Sequence, residues 1–214
     1  YPFHPTFIHF LNTKLATAET FQGTRGVLRV LALVVRSLWR GKVAAPMIHT
    51  AHLDLREARV VNEILGRTGS NDLLPVLNAD VGGVDTSTIE GGRSNAELAD
   101  QRNPHPAGIA MYELTWKVVF LHSLVGRAEE LGSALFGISE QDALLEVSFP
   151  ELTPTQVQTA RRAISEEFTA FYLREKQGRY FASLDPSIPI ALARIRRNLD
   201  AREVEELLAA TSRK

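Results

Sequence analysis

The chain has no cysteine. Disulfides and thiolate zinc sites are therefore excluded, and a reducing compartment fits. No uninterrupted apolar run is long enough to cross a bilayer, since the densest, residues 27–35, still contains Arg29. No basic n-region with a small-residue cleavage site opens the sequence, so the expected location is cytoplasmic and no membrane partner is expected. A surplus of one charge is missing as well: 24 Lys and Arg face 25 Asp and Glu, a formal net charge of −1. That balance defeats a global electrostatic case for nucleic acid binding and leaves only a local patch to serve. Catalytic signatures are absent too. There is no Gly-x-Ser-x-Gly, no His-Glu-x-x-His, no acidic metal cluster and no phosphate-gripping Gly-x-x-x-x-Gly-Lys-Ser/Thr loop. Glu129–Glu130, Glu166–Glu167 and Glu205–Glu206 read as solvated helix faces. No independent catalytic residue is assigned.

What is present describes a globular chain. The 214 residues are 44% apolar and 23% charged, enough to bury a sizeable core in one large domain or two small ones. The organising stretch is residues 23–39. It reads as one helix in which Leu28, Leu31, Val35 and Leu38 recur at spacings of three and four, with Val34 and Trp39 beside them. A stripe that dense is expected in the core. Arg25 and Arg29 sit one turn apart at the start of this helix, where the backbone dipole already presents positive charge. An arriving anion such as a polyphosphate would account for them, because arginine offers its oxygens a planar fork of donors. The plain alternative is that both are solvated or paired with carboxylates.

Gly26-Val27-Leu28-Arg29 followed by Val30-Leu31-Ala32-Leu33 resembles the sensor-2 helix of AAA+-type P-loop ATPases, in which a Gly-x-x-Arg heads an apolar lid helix. The opening Tyr1-Pro2-Phe3-His4-Pro5, together with residues 24–29, resembles one group more closely. That group is the large "domain of unknown function" ATPases associated with phage-defence and DNA-modification loci. The resemblance implies the lid and C-terminal part of an ATPase, separated from its catalytic core, and a start at Tyr1 rather than methionine fits an excised piece. It also implies ATP and magnesium in the parent protein, with none tightly held by these residues. Arg25 or Arg29 would be the cofactor-binding sensor, and the ATPase core of the same chain the principal partner. DNA and further copies of the parent are the other candidate partners.

Taken in order, residues 1–5 are an extended lead-in. A helix is expected from residue 5 or 6 to about 21, with Phe7, Phe10, Leu11 and Leu15 inward and Lys14 snorkelling outward. Residues 47–53 read as a short strand or extended segment. Residues 56–66 form a helix with Val60, Val61, Ile64 and Leu65 inward, and 72–77 a short helical piece. His4 with His9, and His49 with His52 and Asp54, are loosely ligand-like. Neither set completes a metal site, and an extended segment would put His49 and His52 on opposite faces. Residues 81–106, with Gly82-Gly83, Gly91-Gly92 and Asn103-Pro104-His105-Pro106, form an irregular connection in which 95–101 is the one helical candidate.

Helices at 107–124, 139–147 and 153–168 precede an aromatic-rich β-hairpin, with strands near 170–174 and 179–183. Ser139 is the N-cap of the second helix, and Thr153-Pro154-Thr155-Gln156 spells a capping box for the third. Three helices and a hairpin are the order of a winged helix. A helical tail is read at 190–199 and 202–210. The expected fold is mostly α, with an AAA+ lid-like helical subdomain at 1–80, the connection at 81–106, and a winged-helix-like module with its tail at 107–214. The competing function is a winged-helix module that binds DNA or protein without a nucleotide role. In that reading Arg161, Arg162, Arg174, Lys176 and Arg179 would meet nucleic acid phosphates.

Overall fold

The computed structural model describes residues 2–21, 23–43, 45–85, 92–165, 170–188 and 192. Helices α1 (Pro5–Thr13), α2 (Gly23–Gly41) and α3 (Ala58–Thr68) come first, followed by a short α4 (Leu74–Val76). Then come α5 (Asn95–Arg102), α6 (Met111–Leu121), α7 (Glu140–Val147) and α8 (Pro154–Ser165). Strands β1 (Ile138–Ser139), β2 (Leu173–Lys176) and β3 (Arg179–Ala182) form the sheet, and short 3₁₀ turns and a π-helical turn at Leu77–Val81 connect these elements. The fold is mostly α with a small antiparallel sheet. The expected tail at 190–199 and 202–210, the end of the third helix at 166–168 and the glycine pair at 91–92 fall wholly or largely outside the described residues.

The local chemistry explains most of these boundaries. Pro5 occupies the first turn of α1, where a missing N–H costs nothing, and the His4 ring accepts from the Thr6 N–H. Two 3₁₀ turns, Leu15–Thr17 and Glu19–Phe21, take over where a continuous helix to 21 was expected. Ser139 caps α7 through the Asp142 N–H at 3.2 Å. At α8 only half of the capping box forms: Gln156 Oε1 accepts the Thr153 N–H at 2.9 Å. Ser94 and Glu97 make the complete version at the start of α5. Gln177 and Gly178, both at positive φ, close β2 onto β3 in two residues, so the wing is short.

The sheet order β1-β3-β2 with α6, α7 and α8 around it is the arrangement of a winged helix. The two-residue β1 had no alternation to reveal it. The Trp116 indole N–H donates to the Ala160 carbonyl at 2.7 Å, fastening α6 to α8. The Ser123 hydroxyl accepts the Ala182 N–H at 2.8 Å, fastening the end of α6 to β3. Buried residues on both sides of the 81–106 connection, from Phe7 to Ala182, join one continuous apolar cluster. Lys14 does not snorkel outward. Its ammonium donates to the Gly137 carbonyl at 2.7 Å, and burial lowers its pKa to about 8.

Asp80 is the interior fastening between the two halves. Its carboxylate lies wholly inside the protein and accepts four hydrogen bonds: from the Asn95 side chain at 2.7 Å and from the N–H groups of Phe171, Tyr172 and Leu173 at 2.8, 2.6 and 2.9 Å. It thus caps the entrance to β2 from the turn that follows α4.

The segment expected to be extended contains a parallel bridge between Phe3 and Ile48, and then a 3₁₀ turn at Thr50–His52. That turn brings His49 and His52 together, with ring centroids 5.8 Å apart, instead of sending them to opposite faces, and the His4 ring stacks on His49 at 4.3 Å. Among the described residues no cluster has the make-up of a metal site. Burial, with further help from His49 and Lys117, lowers the His52 pKa from 6.5 to about 4. The unfolded chain therefore takes a proton at His52 near pH 6.5 and the folded chain only near 4. The associated stability is complete above pH 6.5 and is lost as the pH falls towards 4. Burial acts oppositely on Asp100, raising it to about 6. Its share of stability grows as the pH drops below 6. Urea unfolding at pH 7 and pH 5 separates the two. His52→Gln is expected to lose about 1–2 kcal/mol less than the wild type between these values, and an unchanged pH dependence would refute the assignment.

Candidate functional site

The stripe expected in the core of α2 is not the one that is buried. Gly26, Val30 and Val34 face inward, while Leu31 and Leu38 are half-buried. Leu28, Val35 and Trp39 stand 61%, 44% and 84% exposed. The reason lies at Gly26. A side chain there would sit 2.0 Å from the Phe21 carbonyl oxygen, so the absence of one lets the preceding turn close against the helix. Because α2 is apolar on more than one side, periodicity alone could not say which side would win.

The third side of α2 faces α3 across a groove of about 570 Å³. Arg29 and Arg36 line it from α2, and Arg59, Asn62, Glu63 and Arg67 from α3, over a floor that includes Ala32 and Leu33. Glu63 is the single carboxylate among these lining residues. Arg67 Nε lies 2.6 Å from Glu63 Oε1, close enough for an ion pair although not aligned for a hydrogen bond. Arg29 Nη1 is 3.7 Å from the same oxygen. Arg36 and Arg59 have no carboxylate within ion-pair distance among the described residues. Four guanidinium groups against one carboxylate leave a formal excess of three positive charges in one concave strip. Such a strip attracts an anion with several oxygens, and each guanidinium can present two donors to it.

The structure brings Arg29 into this groove and leaves Arg25 outside it, exposed on the first turn of α2. Arg36, like Arg25 and Arg29, interrupts the apolar run of α2 in the sequence. Arg59 and Arg67 were missed. Their spacing opposite Val60, Val61, Ile64 and Leu65 marks them as the outer face of α3, but nothing in the sequence aims that face at α2.

The basic residues assigned to nucleic acid do not form one surface. Arg161 is 3% exposed: its guanidinium donates to the Tyr180 hydroxyl and to Glu140, and packs 4.7 Å over the Tyr180 ring. This corrects its assignment to a phosphate contact, since a buried, paired guanidinium cannot reach a duplex. Arg174 donates to the Asp185 carbonyl, and Arg179 donates to the carbonyls of Ser133 and Ala134 at 2.8 and 3.0 Å. Arg162 and Lys176 are exposed. The other exposed residues of α8 are Pro154, Thr155, Thr159 and Ser165, all uncharged.

Among the described residues no helix is long and apolar enough to cross a membrane. The profile of a protein family described as the DUF499 second domain matches residues 1–181. No curated protein and no solved structure matches the chain.

Proposed function

The chain belongs to the family of DUF499 second domains, and on that premise we propose that it is the non-catalytic, phosphate-sensing arm of a larger AAA+-like ATPase. Arg29 is the sensor, reaching the terminal phosphate of ATP and magnesium held by a core domain of the same parent chain. The observation that carries this reading is the α2–α3 groove, in which Arg29 is joined by Arg36, Arg59 and Arg67 against the lone carboxylate of Glu63. Guanidinium groups fixed around a transferring phosphoryl group stabilise its charge, and loss of that charge on hydrolysis releases the arm to swing. The movement would couple nucleotide state to a partner or to nucleic acid, in a setting of phage defence or DNA modification.

The exposed apolar side of α2 supports the same reading. Leu28, Leu31, Val35 and Trp39 run along one side of the helix beside the groove, and Phe3 joins them. A helix that offers a cationic groove on one side and uncovered apolar residues on the next is built to be covered by another domain. For the competing reading, a nucleic-acid-binding winged helix, Arg161, Arg174 and Arg179 of the five basic residues are committed to the internal contacts above. That favours packing over phosphate contact.

The test is ATP hydrolysis by the full-length parent. Arg29→Ala is expected to lower it roughly tenfold, about 1.4 kcal/mol of transition-state stabilisation, and Arg25→Ala to leave it within about twofold. The Arg29 ion pair is half exposed and worth little to stability, so the fold survives its loss. Unchanged hydrolysis in Arg29→Ala would reduce the residue to a surface cation and remove the sensor role.

A further inference from the structure

A larger concavity, about 840 Å³, opens at the C-terminal end of α2, between the 43–57 segment, the start of α6 and the Phe149 loop. Its size falls within the range of small-ligand sites, and like them its lining is mostly apolar with a smaller polar share. Leu38, Met47, Ile109, Leu114 and Phe149 are among the apolar lining, and His52, Asp54 and Lys117 among the polar lining.

Each of these polar groups retains bonding capacity. The His52 Nδ1 accepts the His49 N–H at 2.9 Å, which places the ring proton on Nε2, and no described residue accepts from that Nε2–H. Lys117 is buried. One of its N–H groups goes to the Ala51 carbonyl at 3.2 Å, and Glu113 lies 3.6 Å from the ammonium, which leaves a further donor. Asp54 takes the Ser37 hydroxyl on one oxygen and the Arg56 N–H on the other, each at 3.0 Å, so each oxygen keeps a free lone pair. Donors and acceptors thus line the same pocket.

Charge then selects among ligands. Lys117 and Arg40 are answered around the pocket by Asp54, Glu57 and Glu151, while His52 is neutral. Three carboxylates against two cations leave a formal balance of only −1, so neither a carboxylate nor an ammonium finds a strongly opposed lining, and a neutral ligand loses least by giving up its hydration. We infer that this pocket binds a small neutral amide carried on an apolar body. Its carbonyl oxygen accepts from His52 and Lys117, its N–H donates to Asp54, and its body lies against Leu38, Ile109 and Phe149.

The probe is N-acetyl-L-phenylalaninamide, titrated into the intact chain by calorimetry, with N-acetyl-L-phenylalaninate and phenethylamine as charged comparators. The amide is expected to bind at least roughly fivefold more tightly than either, the scale of one net hydrogen bond of about 1 kcal/mol. Asp54→Ala is expected to erase that preference. Ala107→Trp, a substitution at an exposed residue on the mouth of the pocket, is expected to block all three probes without disturbing the core. Equal binding of the three probes would overturn the inference. So would no heat from the amide up to about 10 mM, or unchanged amide binding in Ala107→Trp.

Discussion

Replacing Asp80 with alanine is expected to cost about 3–5 kcal/mol of stability, the range for breaking a buried charged network by removing one partner. In this carboxylate's place three backbone N–H groups, of Phe171, Tyr172 and Leu173, and the Asn95 amide would be stranded in the interior. Each buried donor left without an acceptor costs about 1–3 kcal/mol. The four are not additive, because water can enter and β2 can shift. In a protein of this length the loss corresponds to a fall in melting temperature of about 10 °C. Burial raises the Asp80 pKa, and the four donors only partly offset it. Asp80→Asn is therefore the informative companion. It retains one acceptor oxygen and adds an NH₂ facing donors, so it should fall between wild type and alanine. Calorimetric melting of the three proteins checks this. Alanine melting within about 2 °C of wild type, under 1 kcal/mol, would show that the fastening between the turn at Leu77–Val81 and β2 is dispensable.

Gly26→Ala carries the second large effect. In the middle of a helix, alanine is ordinarily better than glycine by about 1 kcal/mol. Here the new methyl would lie 2.0 Å from the Phe21 carbonyl oxygen and 2.9 Å from its ring, and the nearest obstacle is backbone, which cannot rotate away. Relieving the clash means moving α2 off the turn before it, at an overpacking cost of about 1–3 kcal/mol. Since Phe21 is wholly buried, the core must yield along with the helix. Arg29 and Arg36 ride on the same helix, so the variant is also expected to misplace the groove. In the parent protein its hydrolysis should fall with that of Arg29→Ala. Urea unfolding of the isolated chain provides the stability arm, and a variant as stable as wild type would show that the turn at Glu19–Phe21 gives way easily.

Much of this architecture was legible from residues alone. Val60, Val61, Ile64 and Leu65 announced the inner face of α3, and all four are buried. Ser139 marked the start of α7, and two aromatic-rich segments either side of Gly178 marked the hairpin. These are local signals: a cap satisfies N–H groups within one turn, and a single apolar stripe has one side to bury. The sequence also placed Arg29 on α2 and exposed the lack of a phosphate-gripping loop.

Three features were decided elsewhere. The buried side of α2 was set by where Phe21 can approach, which depends on the missing side chain of Gly26 rather than on the density of Leu28, Val35 and Trp39. Arg161 reads as a surface cation until β3 brings Tyr180 and α7 brings Glu140 to it. The arginine groove exists because the outer residues of α3 come to rest beside those of α2, more than twenty positions away in the chain. Spacing along a helix reports which residues share its face. Which faces meet depends on the packing of the entire core, and electrostatic sites made between elements appear only once that packing is in place.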